Sequence, residues 1–389
     1  MFSFKNIVAY YIFLQVFGLI LAVLPDDLLQ INNSLFWIFV YHLSAVFTFA
    51  LGYLLPALKL KKGQYQYHLV VSRSFVIFGV SLSLFGIAVS YLQLTSFFSI
   101  TEYTQLFLAN DPQVRDVRGL GAHSEDGGIG GIFKMFSYAP LAVYLITVAW
   151  KHFYINPDAD NESNFKNNKQ LNLVCVIALI LSLIKVFFWL DRLTLGAIIF
   201  ANLYVFFNKK KTKKAYLIYL SLFVVVILVA NALSASRLEG YNFFDFLILY
   251  FKLGLVNFDL MVRTLHGHTY GFSSLLSPLT FVFKFLGIEL NFQSTYQINW
   301  QDAQYMNSYM HQDFGYFSLL VYFLIGWLIK NIDYFTHKGN GVYVSIYFIV
   351  LFGIATFWVV PITNAVEFYL MIVIAIISSK LCVKKVPLV

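Results

Sequence analysis

Charge is what this chain has least of. Only 12% of its 389 residues are charged, against 59% apolar and 19% aromatic, and the mean hydropathy is +0.72. Soluble domains carry about 25% charged residues, so a free-standing water-soluble enzyme is excluded. Cysteine is nearly missing: Cys175 and Cys382 stand far apart in the chain, which excludes a disulfide framework and any thiolate metal spacing. Internal repeats and long low-complexity tracts are absent too, which leaves one integral domain over 1–389 as the simplest organisation. The net charge of +8 does not call for nucleic acid, because the most basic stretch, 209–214, has no interleaved aromatic ring on which a base could stack.

What is present instead is a series of long apolar runs. They lie near 7–24, 35–58, 74–94, 132–150, 171–190, 193–208, 215–233, 315–330, 341–359 and 364–381. About 20 apolar residues at helical rise cross a bilayer core. Lipid offers no partner to open backbone groups, so such runs must be helices. The expected fold is all-α, a polytopic membrane bundle of about ten transmembrane helices. The first run has no small-x-small cleavage site and reads as a retained anchor.

Lysine sets the orientation. With the N-terminus inside, the cytoplasmic segments take Lys5, Lys59, Lys61, Lys62, Arg73, Lys151, Lys166, Lys169, the run from Lys209 to Lys214, Lys330, Lys338, Lys380, Lys384 and Lys385. That is the pattern the positive-inside rule requires, and it puts both termini in the cytoplasm. Two large segments, 95–131 and 234–314, then face outward. Within the second, Phe243–Val262 is interrupted by Asp245, Lys252 and Asp259, and Ser274–Leu290 by Pro278 and Lys284. A charge at mid-span costs roughly 2.5–3.5 kcal/mol, so both are expected to be interfacial or re-entrant helices; if both cross, the count is twelve.

The arginines run against the lysines. Arg115, Arg118, Arg192, Arg237 and Arg263 all fall on the outward side, and a guanidinium fork binds phosphate bidentately. Lys185 lies within a span six residues before Asp191; it either belongs to a site or snorkels outward to pair with that carboxylate. Arg115 and Arg118 precede the glycine-rich 119–131 stretch and share a face if helical, or sit in a solvated loop. Arg237 is a ligand group or an interfacial anchor. Arg263 opens Arg263-Thr-Leu-His266-Gly-His268-Thr-Tyr270-Gly271. His266 and His268 are candidate catalytic imidazoles; no third ligand stands at a metal spacing, so no metal is assigned.

The stretch from Tyr296 to Gly315 is dense in amides, carboxylates and rings, a composition suited to sugars, whose apolar faces lie on aromatics. Trp300, Tyr305 and Tyr309 are its candidate sugar contacts, though such rings also form interfacial belts. His311 and Asp313 are candidate general bases; Asp313 alternatively caps the helix that follows. Glu367, near the start of the last span, is a further carboxylate candidate.

Asp191-Arg192 at the outer end of a span, the outward segment with Arg237 and Arg263, and Gly271-Phe-Ser-Ser before an apolar helix together resemble the Wzy-type oligosaccharide repeat-unit polymerases. So, above all, does Asn307…Asp313-Phe314-Gly315-Tyr-Phe-Ser running into a span with Gly326. Where such proteins often carry a second glycine, this chain has Ser318. The resemblance implies an enzyme of the bacterial inner membrane acting in lipopolysaccharide or polysaccharide biosynthesis. It would transfer a growing glycan from undecaprenyl pyrophosphate to the non-reducing end of a lipid-linked repeat unit on the periplasmic face, without cofactor. Arg192, Arg237 and Arg263 would hold the pyrophosphate, and His311 or Asp313 would be the base. Membrane lipids and a chain-length regulator are the partners it admits. An O-antigen ligase would share the donor site. A flippase or transporter would place its binding groups near the bilayer midplane, whereas the ionisable residues here gather at one face.

Overall fold

The computed structural model describes residues 7–24, 36–58, 65–109, 135–155, 162–189, 191–208, 243–288, 306–355 and 365–387, with 133 and 224. Along the chain come α1 (Ile7–Val23), α2 (Phe36–Leu54), β1 (Tyr65–Leu69), α3 (Arg73–Thr95) and α4 (Ile100–Leu108). Then follow α5 (Ala139–Phe153), α6 (Glu162–Trp189), α7 (Arg192–Asn208), α8 (Phe243–Thr264) and α9 (Leu276–Phe285). The last are α10 (Met306–Phe314), α11 (Ser318–His337), α12 (Gly341–Ala355), α13 (Val366–Cys382) and β2 (Val383–Pro387). The expected helical class is what is observed. The small departure is an antiparallel pair, β1 with β2, in register from Tyr65↔Pro387 to Leu69↔Val383; each strand is five residues long, far below the length of a span.

Four described helices are long and apolar enough to cross a membrane: Phe36–Leu54, Arg73–Thr95, Lys166–Trp189 and Asn307–His337, the last running through a break at Gly315. Tyr11–Val23, Leu193–Asn208 and Gly341–Ile354 are shorter apolar helices. The surface of these helices says what solvent they meet. Leu173, Val176 and Ile180 form an exposed stripe on α6, and Leu320, Leu324 and Leu328 another on α11. Stripes of that size would aggregate in water; in lipid they are the solvated face. This is a membrane protein. The apolar run at 215–233 lies outside the described residues.

The described chain divides into two compact units. The first takes 1–60, 244–334 and 353–368. Its core joins Leu19 and Ala22 of α1, Ile38 and Tyr41 of α2, and Leu255, Phe258 and Met261 of α8. Helices α2 and α11 approach until backbone meets backbone. A Cβ on Gly52 would overlap the carbonyl of Phe323, and one on Gly326 would overlap that of Phe49. Small residues at such a crossing are how helices associate in lipid, where the hydrophobic effect gives no help. Lys252 of α8 is buried and donates to the Leu24 carbonyl at 2.6 Å, at the C-terminal end of α1, where a cation meets the negative end of the helix dipole. The lysine that counts against a bilayer-crossing α8 is buried here with a carbonyl partner.

The second unit takes 61–243, 335–352 and 369–389. Every residue of α5 from Ala139 to Trp150 is buried, as expected of a helix apolar all round. It packs with α3 and α6. A seam of small residues on α3, Gly79, Ser83, Gly86 and Ser90, allows this: a Cβ on Gly79 would touch Val143 of α5 and Val174 of α6, both at 3.3 Å. Trp150 donates its indole N–H to Ser345 Oγ at 2.7 Å, which satisfies the ring's polar atom inside this unit.

Candidate functional site

In the first unit, the chemistry gathers where α10 stops. Gly315 takes φ +55°, a region costly to any residue with a Cβ, and ends α10 before α11 begins. A helix end leaves its last carbonyls without partners. Here they are met by the turn that links α8 to α9. Thr269 N–H donates to the Gln312 carbonyl at 3.2 Å and Tyr270 N–H to the Asp313 carbonyl at 3.0 Å.

The Asp313 side chain completes this clasp. It is fully buried, 0% exposed. Its carboxylate accepts from Ser273 N–H at 2.9 Å, Ser274 N–H at 2.8 Å and the Thr269 hydroxyl at 2.5 Å. Asp313 therefore does cap backbone, but in the distant turn rather than in its own following helix. Both carboxylate oxygens are engaged by donors of the turn, and neither meets solvent. Its place is to fix the turn.

His268 is what the turn carries. Its Nδ1 lies 3.2 Å from the Gln312 carbonyl; a carbonyl only accepts, so Nδ1 bears the proton. Neutral imidazole then keeps its lone pair on Nε2, and among the described residues Nε2 has no hydrogen-bond partner. The residue is exposed. The ring rests on Gly315, where a Cβ would come within 2.9 Å of Cε1 and 3.0 Å of Nε2. The glycine of the Asp-Phe-Gly signature is thus required twice, for its φ and for the imidazole above it.

His311 stands behind, 6.4 Å from His268 between ring centroids. It is only 7% exposed, boxed edge-to-face by Tyr41 at 5.2 Å and Tyr316 at 5.5 Å and flanked by Phe258 at 5.6 Å. Its buried Nδ1 finds no partner among the described residues. On the same helix, Asn307 bridges His42 Nδ1 at 2.9 Å and the Tyr322 hydroxyl, both buried. Tyr41 bonds Ser318 Oγ, which in turn donates to the Gly315 carbonyl. Sequence reasoning passed over Tyr41 and His42, although a histidine inside an apolar span is itself a signal.

Arg263 sits in the last turn of α8, the favourable end for a cation. Its guanidinium forks onto Asp259, Nε to Oδ1 at 3.1 Å and an η nitrogen to Oδ2 at 3.0 Å, with 56% of the side chain exposed. An exposed pair of this kind contributes about 0–1 kcal/mol, so a phosphate can displace the carboxylate. His266 is exposed nearby in sequence, and Tyr309 is half-buried.

Tyr270 is the strained member of the turn. Its φ of +51° is unique among the described non-glycine residues. Backbone held there costs about 1–3 kcal/mol and persists only where the surroundings over-determine it, as the clasp does.

Lys185 belongs to the second unit and is not a free cation. It is buried, bonded to Asp191 Oδ2 and to Thr194 Oγ1 at 3.2 Å, with its ammonium 3.0 Å from the centre of the Tyr138 ring. Asp191 also accepts from Leu193 N–H at 3.0 Å and Thr194 N–H at 3.2 Å, capping α7. The pairing with Asp191 expected for a lysine at this position is observed. Arg192 opens α7, and its side chain lies outside what is described, as do Arg115, Arg118, Arg237, Trp300 and Tyr305. Among the described residues no three histidine, cysteine or acidic side chains group as metal ligands. Glu367 is half-buried in the first turn of α13. No family model, no curated protein and no solved structure matches the chain.

Proposed function

We propose that this protein is a metal-independent membrane glycosyltransferase, a repeat-unit polymerase that uses a lipid pyrophosphate-linked glycan as donor. In this reading about ten helices cross the bacterial inner membrane, both termini are cytoplasmic and the clasp faces the periplasm. The observation that carries it is His268: an exposed imidazole whose Nδ1–H is given to a backbone carbonyl, leaving Nε2 to accept a proton. Five residues away, Arg263 presents its fork in an exchangeable pair.

The roles follow. His268 Nε2 takes the proton from the acceptor sugar's hydroxyl as that oxygen attacks the donor's anomeric carbon. The anomeric carbon–oxygen bond to phosphate breaks, and undecaprenyl pyrophosphate leaves with the electron pair. Arg263 stabilises the charge that grows on the leaving group, more in the transition state than in the substrate; Arg192 and Arg237 are assigned to the same pyrophosphate. Asp313 positions His268 and is not the base. His311 backs the site as a wall. Trp300, Tyr305 and Tyr309 are assigned to the sugars.

The test is incubation of the purified protein with a lipid-linked repeat unit, products read as a ladder. Extension without any lipid A core, lost in His268→Ala, is the expected result. Transfer that requires the core acceptor makes the protein a ligase, and no glycan transfer to either acceptor sinks the enzyme reading.

A further inference from the structure

Tyr270 is a residue that the fold tolerates rather than asks for. Its backbone lies at φ +51°, a conformation that glycine or asparagine adopts far more readily. The residue is 84% exposed, so core packing does not ask for it either. Yet the turn forces the conformation, through Tyr270 N–H on the Asp313 carbonyl and the Asp313 carboxylate on Ser273 and Ser274. A bulky ring is thus held in strain, standing clear of the protein, two residues from His268. Across the paired backbone lies Asp313, and beyond Gly315 stand Tyr316 and Phe317, 77% and 79% exposed.

Strain that the native contacts maintain, and that glycine or asparagine would relieve, points to a use for the side chain. We propose that Tyr270 is a stacking platform for one pyranose ring of the bound glycan, taking the sugar's apolar C–H face and setting its hydroxyl beside His268. The inference rests on the glycan-transfer reading above. An aromatic ring suits this ligand, since it offers a large, rigid apolar face at low entropic cost. The competing use of an exposed tyrosine is as an interfacial anchor in the bilayer.

The experiment uses the full chain in nanodiscs, with a lipid-linked repeat unit as the probe. Tyr270→Asn keeps the backbone conformation and removes the ring. It should unfold no earlier than wild type while its KM for the repeat unit rises about tenfold, the scale of losing one well-placed aromatic contact. Tyr270→Phe should stay within about twofold of wild type, since it keeps the stacking face. An unchanged KM in Tyr270→Asn overturns the proposal. Tyr270→Trp gives a second readout that needs no turnover, taken as the difference spectrum from wild type. A change on adding the lipid-linked repeat unit, larger than with undecaprenyl pyrophosphate alone, supports sugar stacking even if no transfer occurs. Quenching by brominated lipid with no response to the sugar makes the ring a membrane anchor and overturns it.

Discussion

Asp313→Asn separates holding from chemistry. In the native clasp one carboxylate oxygen accepts from Ser273 N–H and the Thr269 hydroxyl, and the other from Ser274 N–H. Asparagine keeps one acceptor oxygen, so two of the three bonds survive in neutral form. Its amide nitrogen then faces the Ser274 N–H, donor against donor, inside a site with no access to water. A buried donor left without an acceptor costs about 1–3 kcal/mol. The substitution should therefore lower the folded-to-unfolded ratio roughly fivefold to 150-fold. Asp313→Ala removes all three bonds and should lose about 3–5 kcal/mol, near the upper end for single changes. The measurement is the denaturation midpoint of purified protein in detergent, read beside chain extension per folded molecule. Activity should fall in step with stability, because His268 is held through the Gln312 and Asp313 backbone that the clasp fixes. A variant with an unchanged midpoint and no activity would show that the carboxylate charge acts in the reaction, and would refute the argument that engagement and burial remove Asp313 from chemistry.

Gly315→Ala should abolish activity with a smaller loss of stability, since its methyl meets the His268 ring at 2.9 Å and φ +55° strains any alanine; wild-type ladders would show that His268 is not the base. Lys185→Met strands the Asp191 carboxylate in a buried site and should cost roughly 3–5 kcal/mol. Adding Asp191→Asn, which still caps α7, should recover much of that in the same unfolding assay. Gly52→Ala and Gly326→Ala should each push α2 and α11 apart and lower the midpoint, and the pair should lose less than the sum, because both act on one crossing. Arg263→Ala should stop extension at normal protein level and Arg263→Lys should be partly active, as a point charge replaces a fork. Asp259→Ala should leave activity close to wild type, because it removes only an exchangeable partner.

Composition and packing govern different residues, for physical reasons. A helix in lipid is dictated by composition over about 20 consecutive residues, a local property, so the apolar runs near 35–58, 74–94 and 171–190 announce the helices found at Phe36–Leu54, Arg73–Thr95 and Lys166–Trp189. Glycines also speak locally, and the Asp-Phe-Gly stretch was visible as a signature. What that signature does was not. Asp313 reaches 39 to 44 residues back along the chain to Thr269, Ser273 and Ser274, and no pattern of spacing announces a carboxylate that caps a distant turn.

By itself, then, the sequence determined that this chain is helical and lives in a membrane, because solvent and composition decide that residue by residue. It also offered His268, Asp313, Lys185 and Arg263 as residues of interest, since charge and imidazole are conspicuous in so apolar a chain. Only the tertiary structure set their surroundings: it buried Asp313 and Lys185 among partners, left His268 with one nitrogen bonded and the other without a hydrogen-bond partner among the described residues, and forced Tyr270 into strain. Those outcomes depend on which backbone donors meet which acceptors across long loops, and that is fixed by packing rather than by any neighbour in sequence.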